Sequence, residues 1–202
     1  MAAQSTLWMA ALIRYGAAAM NAPPSKIGTA DLQLQIIPEG AAHAAAVMAL
    51  VERAFGPGRY AKVSERLREG NRVRADLSFV AVAAGQVVGT IRQWPVKIGE
   101  THGVFLGPIA VEGAWRKHRI GGDLIARAVA AGEQAGEAFV LLVGDMPLFG
   151  PYGFEIVPKG RVILPHSTVH DRTLWRALRA GGLDGVAGRA HVPVHERDQT
   201  RS

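Results

Sequence analysis

The 202-residue sequence has no cysteine, which excludes disulfides, thiolate nucleophiles and cysteine-based zinc sites and fits a reducing compartment, hence an expected cytoplasmic location. It has no long hydrophobic run either. The longest charge-free apolar stretch, Leu77 to Ile91, is interrupted by Gly85-Gln86 and falls short of the ~18 residues a membrane span needs. Residues 2–13 are also uncharged, but no Lys/Arg-rich region precedes them and Arg14 closes them; they read as an extension rather than a signal peptide. Asn21-Ala22-Pro23-Pro24-Ser25 looks like a solvated leader, with Met20 as an alternative start. There is no internal repeat. The histidines at 166, 170, 191 and 195 lack ligand spacing, so no metal is expected.

What is present is ordinary globular composition, 49% apolar and 20% charged, in a length suited to one α/β domain. The formal charge is +6. Basic residues are spread along the chain, with one concentration at Arg116, Lys117, His118 and Arg119. No aromatic interleaving accompanies it, as a base-stacking platform would require. The cluster suits a phosphate-bearing small ligand, and neither nucleic acid nor membrane is an expected partner.

Leu32 to Ile37 alternates with period two and stops at Pro38, a strand. Ala44, Val47, Met48, Val51 and Phe55 recur at helical steps on one face, and Gly56-Pro57-Gly58 ends that helix. Tyr60 to Glu69 reads as a short helix closed by Gly70-Asn71. The period then becomes two: Ser78–Ala83, a turn at Ala84-Gly85, and a returning strand over Gln86–Trp94. After a turn at 97–100, Thr101–Val111 is a third antiparallel strand in which Gly107-Pro108 predicts a bulge or splay. A helix from about Ile120 to Gly132 buries Leu124, Ile125, Ala128 and Val129, with Asp123 and Arg127 paired on its outer face. The run 138–143 is short enough for a strand buried on both faces. Strand, loop, helix and strand together make a βαβ crossover. Met146–Phe149 predicts one helical turn, Phe154–Pro158 and Gly160–Leu164 two strands, and Leu174–Leu178 a last helical segment capped by Gly181-Gly182. A tail is expected from Ala190.

The chemical signal lies where the third strand runs into the loop and the loop into the helix, from Leu106 to Ile125. The first helical N–H groups lack partners and carry partial positive charge. Gly121 and Gly122 let a ligand approach the backbone, and basic side chains flank the spot. This is a phosphate or pyrophosphate cradle. A Rossmann reading fails, because the glycines stand in the wrong places and the preceding strands are antiparallel.

The segment resembles the acetyl-CoA loop of the GNAT N-acetyltransferase superfamily, whose pattern is Gln/Arg-x-x-Gly-x-Gly/Ala. Arg116 takes the first place, Gly121 the last, and Arg119 replaces the middle glycine. Gly85–Arg92, the Leu-Gly-Pro-Ile-Ala-Val strand, Val143-Gly144-Asp145 and Gly153-Phe154 extend the resemblance over about residues 32–188. It implies an α+β fold: a mixed, mostly antiparallel sheet with one βαβ unit and flanking helices. The domain would span 31–188, after a poorly ordered extension (1–30) and before a tail (189–202). It further implies an acetyl-CoA-dependent N-acetyltransferase acting on a small-molecule or protein amine, with a homodimer admitted and no metal. The pantetheine amides would pair with Ile109, Ala110 and Val111, and the pyrophosphate would lie on Lys117, His118, Arg119, Ile120, Gly121 and Gly122, with Arg116 or Arg119 on a phosphate. The family often has a tyrosine as acid for the departing thiolate, in a pattern like Phe-Tyr-x-x-x-Gly-Phe. Phe149 occupies that place here, and Tyr152, three residues on and after Pro151, is the candidate acid. Departure of the thiolate with solvent's help is the alternative, and a catalytically silent acyl-CoA-binding module is the competing function. Trp94 and Trp115 are expected to pack or line a rim. Asp145 is expected either to cap the next turn or to orient a cationic acceptor.

Overall fold

In a computed structural model, residues 34–56, 63–165 and 171–193 are described; the extension at 1–30 lies outside them, as do His166, His170 and His195. The first strand, β1, is Gln35–Pro38, so Pro38 belongs to it. Helix α1 is Ala44–Phe55 and buries Val47, Leu50 and Val51. Met48 and Phe55, expected on that buried face, are 45% and 40% exposed; Leu50 takes their place. Of the expected helix over 60–69, α2 is Val63–Arg66. The turn after it is held by Asn71, whose side-chain amide donates to the carbonyls of Leu67 and Pro95.

Strands β2 (Phe79–Ala83) and β3 (Gln86–Ile98) form a hairpin across Ala84 and Gly85, both with positive φ. Two left-handed residues match the twist of the flanking strands. β3 continues past Trp94 to Ile98, which narrows the expected turn to Gly99-Glu100, and β4 (Thr101–Val111) returns beside it. Ile91 faces Ile109 but Gln93 faces Leu106, so Arg92 stands opposite both Gly107 and Pro108. The predicted bulge is there.

Helix α3 (Ile120–Gln134) follows and buries Ile120, Leu124, Ile125, Ala128, Val129 and Gly132. Gly132 lies within the helix rather than ending it, and glycine is needed there because a β-carbon would come within 2.8 Å of Leu178; Gly136, at φ 73°, closes the turn. Strand β5 (Phe139–Val143) then lies parallel to β4, completing the βαβ unit. Short elements follow: α4 (Met146–Phe149), β6 (Glu155–Ile156) and β7 (Val162–Ile163).

Two expectations fail at the C-terminal end. Thr173–Ala177 is a strand, β8, not a helix. It pairs antiparallel with all of β5 on one side and with β6 on the other, and those ladders outweigh any local helical preference in five residues. Gly188–His191 is also a strand, β9, running beside β7 and pairing with Lys97-Ile98 of β3. Regular structure therefore passes the expected boundary at 188, and Ala190 is buried.

The main strand order is β1-β2-β3-β4-β5-β8-β6. Its two faces carry different helices. On one, Gly89 lets α3 approach so closely that a β-carbon would lie 3.0 Å from Ile120 and 3.2 Å from Leu124, and the Gln93 amide donates to the carbonyl of Ala128. On the other, Val80 and Ala110 pack with Val47, Leu50 and Val51 of α1. Alternation along β3 sends Arg92 to the α1 face, where its guanidinium lies 3.5 Å from the Met48 sulfur.

Candidate active site

Three features meet around β4. The first is a gap. β4 and β5 pair only at Val104–Val140 and Phe105–Leu141. Beyond Phe105, β4 still pairs with β3 through Ile109, Ala110 and Val111, while its β5-facing edge has no strand partner among the described residues. The extra residue of the bulge marks the place where the two strands part.

The second feature is the start of α3. The loop after β4 is a 3-10 turn, Gly113–His118, ending in Arg119 at φ 58°. The N–H groups of Gly122 and Asp123 both donate to the Arg119 carbonyl. Helix geometry leaves those of Ile120 and Gly121 without an intrahelical acceptor. A β-carbon at Gly121 would meet only Val111, at 3.9 Å. Arg116, Lys117, His118 and Arg119 are exposed around this corner, whereas the Ile120 side chain is fully buried and offers its backbone alone. Trp115 tilts against His118, ring centres 5.2 Å apart. Burial pushes the Asp123 carboxyl above the usual carboxylate range, opposed by the Arg119 charge. Arg127, expected to pair with Asp123, lies over the Phe79 ring instead, 5.4 Å from its centre.

The turn carrying the expected acid is built from α4 and a 3-10 turn, Gly150–Tyr152. Phe149 is buried, edge-on to Phe154 at 5.6 Å and against Gly144, so the family's tyrosine position holds a packing residue. The Tyr152 hydroxyl sits against Gly122, where any β-carbon would overlap it. Arg176 fixes that turn by donating to the Tyr152 carbonyl at 2.6 Å while pairing with Glu133 of α3 at 2.6 Å. Asp145 makes no side-chain cap; it pairs with Arg172 at 3.0 Å.

The third feature, on the α1 face, is a cavity of about 480 Å³ at the bulge, lined by Met48, Val51, Glu65, Arg66, Arg68, Glu69, Arg92, Trp94 and Pro108. The Trp94 indole donates to the Gly107 carbonyl at 2.7 Å, which gives this residue a role the sequence did not reveal. Arg92 is held by Glu39, with exposures of 9% and 4%. That pair was missed as well, since a charged residue in an alternating strand reads as outward-facing. Arg68 lies over the Phe105 ring and against Gly107. Among the described residues no group of three His, Cys, Asp or Glu side chains is placed to hold a metal, and no helix is long and apolar enough to cross a membrane.

No family model matches the chain. The uncharacterized N-acetyltransferase YhbS of Escherichia coli K12 is 31% identical over 150 residues, covering 73% of this chain and 89% of that protein. The crystal structure of YhbS, a GNAT family N-acetyltransferase in complex with CoA, aligns at a TM-score of 0.70 with 26% identity, over 90% of this chain and 97% of that one. The chain belongs to the GNAT family. A GNAT acetyltransferase from Brucella melitensis in complex with acetyl-CoA aligns at 0.56 with 25% identity, over 81% and 96% of the two chains. The GNAT assignment agrees with the mixed, mostly antiparallel sheet and its single βαβ unit. It also gives Arg119 a meaning: the left-handed backbone that this GNAT chain adopts there is the conformation for which glycine is the unstrained choice.

Proposed function

We propose that this chain transfers an acetyl group from acetyl-CoA to a primary amine of a small molecule or protein. The observation that carries the reading is the junction of β4 and α3. There, helix N–H groups without an intrahelical acceptor, an open Gly121 and four exposed basic side chains adjoin a strand edge without a strand partner among the described residues. The residues fit the cosubstrate. Ile109, Ala110 and Val111 offer their β5-facing edge to the pantetheine amides in the manner of an added strand. The backbone from Lys117 to Gly122 and the charges of Arg116, Lys117, His118 and Arg119 suit the pyrophosphate. Bound acetyl-CoA supplies a thioester whose carbonyl carbon is open to a neutral amine.

The chain's own task is then to align, desolvate and manage protons. Cradle and cavity lie on opposite faces of the sheet, and on this reading the thioester would reach the cavity through the gap between β4 and β5 near the bulge. Tyr152 is the phenol among the described residues that stands as candidate acid for the thiolate. Its hydroxyl, however, rests at Gly122, next to Gly121, where an added β-carbon would meet Val111, and Val111 lies about 13 Å along the strand from Gly107. That seat favours contact with the cosubstrate's phosphates and departure of the thiolate with solvent's help. Phe149 in the tyrosine's place supports the second reading, a silent acyl-CoA-binding module. A cytoplasmic location, a homodimer, and the absence of nucleic-acid, membrane and metal partners belong to the same proposal.

The test is free-thiol release from acetyl-CoA with a panel of amines, alongside the thermal midpoint with CoA. A ligand that binds only the native state must raise the midpoint. No shift at millimolar CoA overturns both readings; a shift without turnover leaves the binding module.

A further inference from the structure

We infer, on the acetyltransferase reading above, that the acceptor is a small primary amine with an uncharged, largely apolar body, and that Glu65 binds its ammonium group, which gives up one proton to solvent before the neutral amine attacks the thioester. The cavity at the bulge sits on the α1 face, where the gap between β4 and β5 opens, and its size of about 480 Å³ suits a small molecule. Met48, Val51, Trp94 and Pro108 give it apolar walls.

Its arginines suggest an anion site until their partners are traced. Arg92 donates through Nε and Nη2 to the buried Glu39 carboxylate. Arg68 pairs with Glu65 at 2.7 Å and Arg66 with Glu69 at 2.9 Å. Each cation in the lining is thus matched by a carboxylate. A carboxylate or phosphate on the acceptor would compete with these pairs, and displacing Glu39 from Arg92 would leave it buried without its counter-charge. The pairs balance in charge, and the atom they leave over in the lining is a carboxylate oxygen. Glu65 is 22% exposed, and while Oε1 accepts from Arg68, Oε2 has no hydrogen-bond partner among the described residues. Its partner Arg68 is 12% exposed, lies over Phe105 and abuts Gly107, so the pair is anchored at the bulge. A primary ammonium is the group that complements a partly desolvated carboxylate oxygen in an otherwise neutral, apolar cavity.

The experiment compares 2-phenylethylamine with phenylalanine, which differ by one carboxylate, in free-thiol release by the full chain at saturating acetyl-CoA. The amine without the carboxylate is expected to have at least about tenfold higher kcat/KM, the loss of roughly one charge-assisted contact. Glu65→Gln should raise KM for 2-phenylethylamine about tenfold, with acetyl-CoA affinity by calorimetry unchanged. Met48, 45% exposed on the cavity wall, gives a second variant that does not depend on the Glu65–Arg68 pair. Met48→Lys adds an unmatched cation and should move the selectivity ratio about tenfold toward phenylalanine. Equal or better use of phenylalanine by the wild type, or an unchanged KM in Glu65→Gln, overturns the inference while leaving the transferase reading intact. Binding of acetyl-CoA without thiol release for any amine overturns that reading and the inference with it.

Discussion

The hydroxyl of Tyr152 occupies the space that a side chain at Gly122 would need. Gly122 is therefore fixed by the tyrosine rather than by the helix, and the conflict is confined to one oxygen. The ring carbon bearing it would lie 3.5 Å from an added β-carbon, ordinary contact distance. Gly122→Ala should destabilise the protein by about 1–3 kcal/mol through overpacking, and Tyr152→Phe in the same chain should recover most of that loss. Urea unfolding of the two single variants and the double variant measures the coupling; additive effects would show that the contact does not exist in solution.

Gly121 is open where Gly122 is not. Gly121→Val should fold with stability within about 1 kcal/mol of the parent, while its affinity for acetyl-CoA falls at least about tenfold, because the branched side chain projects where a phosphate would lie. Calorimetric titration of the folded variant decides this, and an unchanged affinity would falsify the cradle assignment.

Arg119 combines a strained backbone with a charge near the same corner. Arg119→Gly relieves the left-handed strain but loosens the unfolded chain, so net stability should change by less than about 1 kcal/mol. Acetyl-CoA affinity should nevertheless drop several-fold, and more at low than at high ionic strength, since an exposed charge acts through a screened field. A loss independent of salt would point to backbone geometry instead of charge.

For Tyr152→Phe the kinetics separate the two roles of the phenol. Seated at Gly122, it should raise KM for acetyl-CoA a few-fold with kcat within about threefold of the parent. A fall in kcat by roughly two to four orders of magnitude at unchanged KM, the range for losing a general acid, would instead make Tyr152 the acid.

Acid stability should report on Arg74, which holds Asp76 at 2.7 and 2.9 Å and Glu137 at 2.5 Å. Its hydrogen bond, against some burial, keeps the Asp76 carboxyl below the usual range. A carboxyl depressed in the folded state contributes fully above its ordinary pKa of about 4 and loses the contribution as pH falls through the lowered value. With Asp76 60% exposed, screening keeps that contribution under about 1 kcal/mol. The stability gap between the parent and Arg74→Met should thus be widest above about pH 4 and close toward pH 2. A gap that did not vary with pH would mean that packing, not charge, holds Arg74 in place.

Much of this fold is written locally. The β2–β3 turn, the bulge at Gly107-Pro108, α3 and the apolar β5 each carry their signal within a dozen residues, and together they locate the cradle. What the sequence hides depends on distant partners. Leu174 and Trp175 are adjacent apolar residues compatible with helix or strand, and only β5 and β6 on either side decide between them. Ala190 looks like tail until Ile98 pairs with it. The same holds in the site: Arg119 and Gly121 are visible as a pattern, whereas the Tyr152–Gly122 contact and the Glu39–Arg92 pair join residues 30 and 53 positions apart. No periodicity links residues so separated.

The two-pair ladder between β4 and β5 also has a mechanical meaning. It divides the sheet into two leaves, β1–β4 and β5-β8-β6, whose strands meet among the described residues only at Val104–Val140 and Phe105–Leu141. Toward the β4 C-terminus the seam is open, and β9, which pairs with β3 and β7, adds no rung across it. The two rungs at Phe105 therefore act as a fulcrum. A small rotation of one leaf against the other is magnified toward Val111, so compliance is greatest where the cosubstrate would be gripped.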